Sequence, residues 1–276
     1  MLETFGHQFY ACGKVGLPES IRYRETAYGL ERVLKRDFFA ETGLYERQQA
    51  GQNGETPERV VLKLGRRERF LLFPMGWIGR ILCANEVERL RQLSDLPNVP
   101  RVLEVLGRTG FLYGYIEGRT LDEQPAIPEG FFDKLSELLA EVHRRDIAYL
   151  DMNKRGNIIV GKDALPYLID FQIAWRIDGS GRILGPLWRS IRRELQREDR
   201  YHLCKHKRKF DRKSLTHEET QVVERPSVMV RAHRLIATPL RKLRRWVLRF
   251  LYSRSIIEAP GKGQLSREND PRRFCK

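Results

Sequence analysis

Three polar side chains near the middle of the chain have the types and the spacing needed for chemistry on a phosphate. Asp151 is followed six residues later by Asn157, which opens the short apolar run 157–160. Asp170 stands thirteen residues after Asn157, at the end of the next apolar run, and is followed by Phe171. Magnesium prefers carboxylate and amide oxygens, and a further carboxylate can orient an attacking hydroxyl. The set therefore predicts Asp151 as a catalytic carboxylate, with Asn157 and Asp170 as magnesium ligands.

These residues also have a purely structural interpretation, because Asp and Asn are common in turns. Three positions in register favour the chemical interpretation over that alternative. A second aspartate, Asp146, follows a His-Arg-Arg run and lies eleven residues before Asn157. Asp146 precedes the apolar run 147–150, whereas Asp151 follows it, so Asp151 is the preferred carboxylate.

Lys63 and Glu86 form a second candidate set in the first half of the chain. Lys63 alternates with Val61 in an apolar strand, so we expect its side chain to point inward and to need a charged partner. Glu86 lies in a predicted helix that has leucines four and seven residues further on. Glu88 is the competing partner, but it lies about 200° round that helix from Glu86. The leucine register favours Glu86.

On these residues the chain resembles the protein-kinase-like superfamily, in its compact bacterial and atypical branches. The resemblance implies that Asp151 is the catalytic-loop carboxylate and that Asn157 and Asp170 bind magnesium. It implies in the same way that Lys63 binds the α- and β-phosphates of ATP and that Glu86 holds Lys63. The implied reaction is transfer of the γ-phosphate of ATP to a hydroxyl acceptor, with ATP and Mg²⁺ as cofactors.

The stretch 111–121 resembles the hinge between the two lobes of a kinase. On that resemblance, Tyr113 lies at the back of the adenine pocket, and the backbones of Gly114 and Ile116 bind adenine. A glycine-rich phosphate loop is missing from the strand pair before Lys63. Gly43, which we expect in the turn of that pair, is its only counterpart.

Two further departures separate the chain from regulated protein kinases. Leu150 stands where those kinases carry an Arg that pairs with a phosphorylated loop, and Gln172 replaces the glycine of the Asp-Phe-Gly motif. The departures favour RIO-type kinases and the kinases that phosphorylate heptose or Kdo sugars of the lipopolysaccharide core. Three functions stay open: a glycolipid sugar kinase, a RIO-type serine/threonine protein kinase and a nucleotide-binding pseudokinase scaffold.

The elements expected to position these residues follow an α+β order. The predicted strands are 32–37, 44–47, 59–64, 102–106 and 110–116, and the predicted helices are 78–93 and 128–142. The resemblance implies a bilobal kinase-like fold, with a small β-rich N-lobe and a mainly helical C-lobe. The predicted divisions are an N-terminal extension at 1–25, the N-lobe at 26–114, the C-lobe at 115–225 and a basic amphipathic helix and tail at 226–276.

The chain has a formal charge of +15, and all of that excess lies in its last third. Residues 1–185 hold 26 basic and 26 acidic side chains, whereas residues 186–276 hold 25 basic and 10 acidic ones. Such asymmetry predicts an anionic partner. Residues 228–252 predict an amphipathic helix with one Arg-rich face, which suits either an anionic membrane surface or packing on its own domain.

The remaining sequence features bear on partners and on location. The four cysteines show neither disulfide nor metal-site spacing, which favours a reducing compartment. The N-terminus lacks the pattern of a signal peptide, and no apolar run reaches about 18 residues. We therefore expect a cytoplasmic protein, with peripheral attachment to the inner membrane as an option. The expected acceptor is a glycolipid or a protein, and nucleic acid is a less favoured partner.

Overall fold

The structure is a computed structural model, and it describes residues 8–48, 56–70, 73–181 and 184–224. These residues divide into two compact units. The first unit comprises the described residues up to Arg91 together with Pro100–Tyr115, and the second comprises Gln92–Val99 together with the described residues from Ile116 onward. The predicted amphipathic helix at 228–252 lies outside the described residues.

The first unit is built on a six-stranded antiparallel sheet with the strand order β1-β2-β3-β4-β6-β5. The strands are β1 (Ser20–Tyr23), β2 (Thr26–Arg36), β3 (Ala40–Arg47), β4 (Arg59–Gly65), β5 (Val102–Leu106) and β6 (Gly110–Gly114). Strand β4 lies between β3 and β6, so both of its edges are paired. Its alternate residues Val60, Leu62 and Leu64 enter the core of this unit. Val61 and Lys63 therefore occupy the opposite face of the strand.

The segment before residue 26, expected to be an extension, contributes to this sheet. Strand β1 pairs antiparallel with β2 across a two-residue turn in which Arg24 has a φ of 53°. Tyr23 and Cys12 are buried in the same core. The pattern was missed because β1 has only four residues, too few for an alternating pattern to stand out.

Helix α1 (Gly76–Gln92) packs closely against strand β4 at two glycines, Gly79 of the helix and Gly65 of the strand. A Cβ atom added to Gly79 would lie 2.1 Å from the carbonyl oxygen of Arg66, and one added to Gly65 would lie 2.9 Å from that of Gly79. Only glycine permits backbones to come this close. Glu86 is two helical turns beyond Gly79 and Lys63 is two strand residues before Gly65, so both charged side chains lie on the contact faces.

The second unit is mainly helical and carries two small sheets. Its helices are α2 (Phe131–Arg144), α3 (Gly185–Phe210) and α4 (His217–Glu224). Its strands are β7 (Gly118–Thr120), β8 (Ile147–Ala148), β9 (Ile158–Gly161), β10 (Pro166–Leu168) and β11 (Trp175–Arg176), in sheets of order β10-β9-β7 and β11-β8. The predicted α+β class, with a β-rich first unit and a helical second one, is confirmed. Among the described helices, none has the length and apolar character needed to cross a membrane.

Candidate active site

Lys63 and Glu86 form a buried ion pair in the first unit. Nζ of Lys63 lies 2.7 Å from Oε2 and 2.9 Å from Oε1 of Glu86, so one ammonium group donates to both carboxylate oxygens. Both side chains are buried, and each therefore depends on the other for compensation of its charge. Glu88, the rejected alternative, is exposed and pairs with Arg89 at 2.8 Å. The predicted pairing is present, and its role in nucleotide binding stays a prediction.

Asp151 is the centre of a polar cluster in the second unit. The side chain is buried, and its Oδ2 accepts hydrogen bonds from Lys154 Nζ and from Asn157 Nδ2, both at 2.7 Å. Desolvation raises the pKa of Asp151; the charge of Lys154 opposes this increase, and the carboxylate of Asp170 adds to it. The carboxylate of Asp170 is therefore near enough to act on the charge of Asp151.

Local backbone geometry places Asn157 and Asp170 at this cluster. Asn157 ends a short 3-10 helix, Arg155–Asn157, and its carbonyl oxygen accepts a hydrogen bond from the N–H of Ile169, 3.0 Å away. The two segments are therefore held side by side just before Asp170. Asp170 itself has a φ of 62°, in the left-handed region that few residues other than glycine adopt. The buried ring of Phe171 anchors this bend by packing edge-on to Tyr149, with the ring centroids 4.8 Å apart.

Asp199 was missed by the sequence analysis, although it holds the backbone on which Asp151 is placed. This buried side chain of α3 accepts hydrogen bonds from the backbone N–H groups of Tyr149, at 2.7 Å, and Leu150, at 2.8 Å. Leu150 has a φ of 65°, so the carboxylate secures a left-handed residue directly before Asp151. His143 Nε2 also lies 3.1 Å from the carboxylate. The sequence shows Asp199 only as one acid in a basic helix, about fifty residues from its partners.

Helix α3 supports the same loop at a second point through His206. Its Nε2 lies 2.9 Å from the carbonyl oxygen of Met152, and burial lowers the pKa of the imidazole to about 4. At neutral pH the ring is therefore uncharged and donates its Nε2–H to that carbonyl. The rejected aspartate, Asp146, instead forms an ion pair with Arg192 on the same helix, at 2.5 Å.

The expected turn position of Gly43 is wrong. Gly43 lies inside strand β3, opposite Val33 on one side and Leu62 on the other, and it is buried. The turn between β2 and β3 spans residues 37–39, because Asp37 Oδ1 accepts hydrogen bonds from the N–H groups of Phe39 and Ala40, both at 2.8 Å. Both of these N–H groups are thereby occupied. Gly43 is needed for packing, since an added Cβ would lie 2.9 Å from side chains of β2 and of the N-terminal segment.

The arginine that follows β4 completes this turn. Arg66 is fully buried, its guanidinium lies 3.8 Å from the ring centroid of Phe38, and its Nη1 donates to the Phe38 carbonyl oxygen at 2.8 Å. A carboxylate side chain, an aromatic ring and a buried arginine thus define this turn. The sequence shows that a glycine-rich motif is missing before Lys63, but it does not show which side chains form the turn.

The three predicted adenine contacts are placed as follows. Tyr113 is half-buried in β6, between Val61 of β4 and Val102 of β5. The N–H of Gly114 donates to the carbonyl oxygen of Arg101 at 3.1 Å, so that group is already used within the first unit. The adenine contact expected from the backbone of Gly114 stays a prediction, without this N–H as its donor. Ile116 is half-buried, and the longer segment of the second unit begins at this residue.

The donor set around Asp151 fits a magnesium ion that also takes oxygens from a nucleotide. Because Asn157 directs its Nδ2 at Asp151, its Oδ1 stays available as a ligand oxygen. The mutual repulsion of Asp151 and Asp170 would be relieved by a divalent cation. Within the described ranges, no group of three or more His, Cys, Asp or Glu residues could hold a metal ion. A magnesium ion bound through one or two protein groups and phosphate oxygens needs no such group.

Comparison with known proteins gives structural matches but no sequence matches. No family model matches the chain, and no curated protein matches it. A crystal structure of the Rio2 kinase from Chaetomium thermophilum is similar, with 14% identity and a TM-score of 0.49 over 71% of this chain and 62% of that chain. The Rio2 kinase–ADP/Mg²⁺–phosphoaspartate complex from the same organism gives 13% identity and a TM-score of 0.45, over 71% of this chain and 69% of that chain.

Proposed function

We propose that this protein is an ATP-dependent phosphotransferase that transfers the γ-phosphate of ATP to a hydroxyl group. The observation that carries the proposal is the cluster of Asp151, Asn157 and Asp170, in which a buried carboxylate, an amide and a second carboxylate are brought together. The buried pair of Lys63 and Glu86 supports it independently from the first unit. Phosphoryl transfer requires phosphate binding and hydroxyl orientation, and these two sets of residues are assigned to those roles.

In this proposal Asp151 orients the acceptor hydroxyl and takes its proton. A raised pKa makes the carboxylate a better proton acceptor once it is ionised. The amide of Asn157 and the ammonium of Lys154 fix the position of Oδ2, which leaves Oδ1 for the acceptor. Magnesium, held by Asn157 Oδ1 and Asp170, would neutralise charge on the nucleotide phosphates.

Lys63 is assigned to the α- and β-phosphates of ATP. A lysine held rigidly by Glu86 presents its ammonium at a fixed position, and the entropy of ordering that side chain is already lost in the folded protein. The turn at residues 37–39 differs from a glycine loop because Asp37 occupies two of its N–H groups. Lysine and magnesium therefore take a larger share of phosphate binding in this proposal.

For the acceptor, we propose a sugar hydroxyl of a lipopolysaccharide-core-type glycolipid at the inner face of the membrane. The support is the charge distribution, since the whole basic excess lies in residues 186–276 and glycolipid cores of this type are anionic. A protein hydroxyl, as in a RIO-type serine/threonine kinase, is the alternative. A pseudokinase scaffold is the third option, and the lack of a glycine loop favours it.

Transfer of label from γ-labelled ATP to separated glycolipid and protein fractions tests the acceptor. We expect label in the glycolipid fraction, and we expect its loss in Asp170→Asn, which removes a magnesium ligand but keeps the shape of the side chain. Label found only in protein would replace the glycolipid proposal with the protein kinase alternative. ATP binding with no label in either fraction would support the pseudokinase scaffold.

A further inference from the structure

Helix α1 turns an apolar face to solvent on the side away from the sheet. Trp77 and Ile81 are one helical turn apart and are 52% and 58% exposed, and Phe73, just before the helix, is 67% exposed. Gly79 and Glu86 face the sheet. Gly79 is two residues from Trp77 and two from Ile81, which is about 200° round the helix in each case. Single exposed apolar residues are common on protein surfaces, but three within nine residues form a patch that calls for a partner.

Three arginines lie near this patch. Arg69 is next to Phe70, whose backbone pairs with that of Phe73, and Arg80 lies on α1 between Trp77 and Ile81. Arg108 lies in the β5–β6 turn, at the end of the sheet where the Thr109 carbonyl accepts a hydrogen bond from Gly65 N–H at 2.6 Å. All three arginines are exposed.

Among the described residues, no side chain of these three arginines forms an ion pair, although the backbone N–H of Arg69 donates to Glu68 Oε1 at 3.2 Å. The exposed acid on the same helix, Glu88, pairs with Arg89 at 2.8 Å. The patch therefore combines aromatic and aliphatic side chains with cations that are not neutralised. We call Phe73, Trp77, Ile81, Arg69, Arg80 and Arg108 the α1 surface.

We propose that the α1 surface binds an anionic lipid bilayer. Aromatic and aliphatic side chains enter the boundary between headgroups and acyl chains, while arginines extend their charged ends to anionic headgroups. This composition suits a bilayer better than a nucleic acid strand, because a nucleic acid would stack on the aromatic rings and leave Ile81 without a role. The proposal goes beyond phosphotransfer and does not depend on it.

Charge argues against the chain's own C-terminal segment as the occupant. Residues 228–252 contain seven Lys and Arg and no Asp or Glu. Placing them on the α1 surface would bring like charges together, against Arg69, Arg80 and Arg108, whose side chains form no ion pair among the described residues. An anionic bilayer has the complementary charge, and each arginine near such a surface adds to the attraction.

Vesicle binding of the full chain, measured without nucleotide, tests the proposal. We expect binding to mixed phosphatidylglycerol and phosphatidylcholine vesicles, with a partition coefficient lowered about tenfold or more in Trp77→Ser/Ile81→Ser. Arg69→Gln/Arg80→Gln should weaken binding to these vesicles by a similar factor but not to phosphatidylcholine alone. All four positions are exposed, so we expect the variants to fold, and a thermal unfolding transition checks this.

A matched control comes from the second unit, where Leu184 and Leu187 are each 55% exposed. Leu184→Ser/Leu187→Ser removes a comparable apolar pair and should leave the partition coefficient unchanged. The proposal is overturned if the Trp77 variant binds as tightly as the unaltered protein, or if the control loses as much. Single-stranded RNA binding that is lost in the Trp77 variant, with vesicle binding unchanged, would overturn it in favour of nucleic acid.

Fluorescence locates the contact independently of the C-terminal segment. In a variant that keeps Trp77 and replaces the other three tryptophans with Phe, brominated lipid should quench the emission. The matched variant keeps Trp175, which is 46% exposed, and should show little quenching. Equal quenching of both, or quenching of Trp175 alone, contradicts the proposal. Because no ATP is present, a failure here leaves the phosphotransferase proposal standing, and a failure of phosphotransfer leaves this one standing.

Discussion

At the scale of single residues, ionised Asp151 lowers the stability of the folded protein. Desolvation and the charge of Asp170 raise the pKa of this side chain, although Lys154 and Asn157 partly oppose them. A raised pKa means that ionised Asp151 is less favourable in the folded chain than in the unfolded one. The folded state therefore loses stability as the pH rises from the ordinary aspartate pKa of 3.8 through the pKa of the folded state.

The first prediction follows from this loss of stability as the pH rises. Asp151→Asn should raise the melting temperature near pH 7, because it removes a buried charge and keeps an oxygen for Asn157. The gain should shrink as the pH approaches 3.8, where the carboxylate becomes protonated in both states. Thermal unfolding of both proteins across this range measures the effect. A lower melting temperature for the variant at neutral pH would contradict the electrostatic account.

The second prediction concerns the buried pair of Lys63 and Glu86. Lys63→Met leaves Glu86 buried without its cation, and we expect a loss of about 3 to 5 kcal/mol in the free energy of unfolding. Lys63→Met/Glu86→Leu should recover most of that loss, because two apolar side chains of similar size need no charge compensation. Denaturant unfolding measures both values.

A control for this pair is the more exposed one between Lys35 and Asp37, which lie 3.0 Å apart. Lys35→Met should cost less than about 1 kcal/mol, since water screens that pair. If the double variant at 63 and 86 were no more stable than Lys63→Met, the two residues would not be coupled as the structure indicates. The double variant should also fail to turn over ATP.

At the scale of elements, the loop that carries Asp151 is held in place by α3. Asp199 secures the backbone at Tyr149 and Leu150, and His206 secures the carbonyl of Met152. Residues on both sides of Asp151 are thus tied to one long helix. The sequence offers no spacing rule for such support, because the partners lie about fifty residues apart.

The third prediction tests this support. Asp199→Asn offers one acceptor oxygen in place of two, so one of the bonds to Tyr149 and Leu150 is lost. We expect a destabilisation of about 1.5 to 3 kcal/mol and a lower kcat, with little change in the Kd for ATP. Glu194→Gln, a change of the same kind on the same helix at a residue paired with Arg197, should have little effect. A variant at Asp199 with unchanged kcat would contradict the positioning role.

Elements with enough residues to show a period could be predicted from the sequence. Helix α2 has its predicted apolar face buried, and β5 begins and ends where expected. Strands of two to four residues, such as β1, β7 and β11, are too short for such a pattern. The position of Gly43 was predicted wrongly because the side chain that forms the turn is that of Asp37, which was expected to end the preceding strand.

At the scale of the whole molecule, the sequence showed which side chains have the chemical groups that phosphoryl transfer needs. The structure shows which of these side chains contact one another. The partner of Lys63 could be predicted from helical geometry, since Glu86 and Glu88 lie on different sides of α1. The contribution of Asp199 and the solvent-facing apolar side of α1 could not be predicted from the sequence. Both depend on which face of a helix is covered, and sequence periodicity leaves that open where a helix is charged or apolar on more than one side.

The most direct test of the central claim compares two aspartates five residues apart. Asp151→Asn and Asp146→Asn make the same chemical change, but Asp151 lies in the cluster with Asn157 whereas Asp146 pairs with Arg192. The measurement is the initial rate of release or transfer of the ATP γ-phosphate at saturating Mg²⁺. We predict a fall of about a hundredfold or more for Asp151→Asn and a nearly unchanged rate for Asp146→Asn. Full activity in Asp151→Asn, or a loss confined to Asp146→Asn, would contradict the assignment of Asp151.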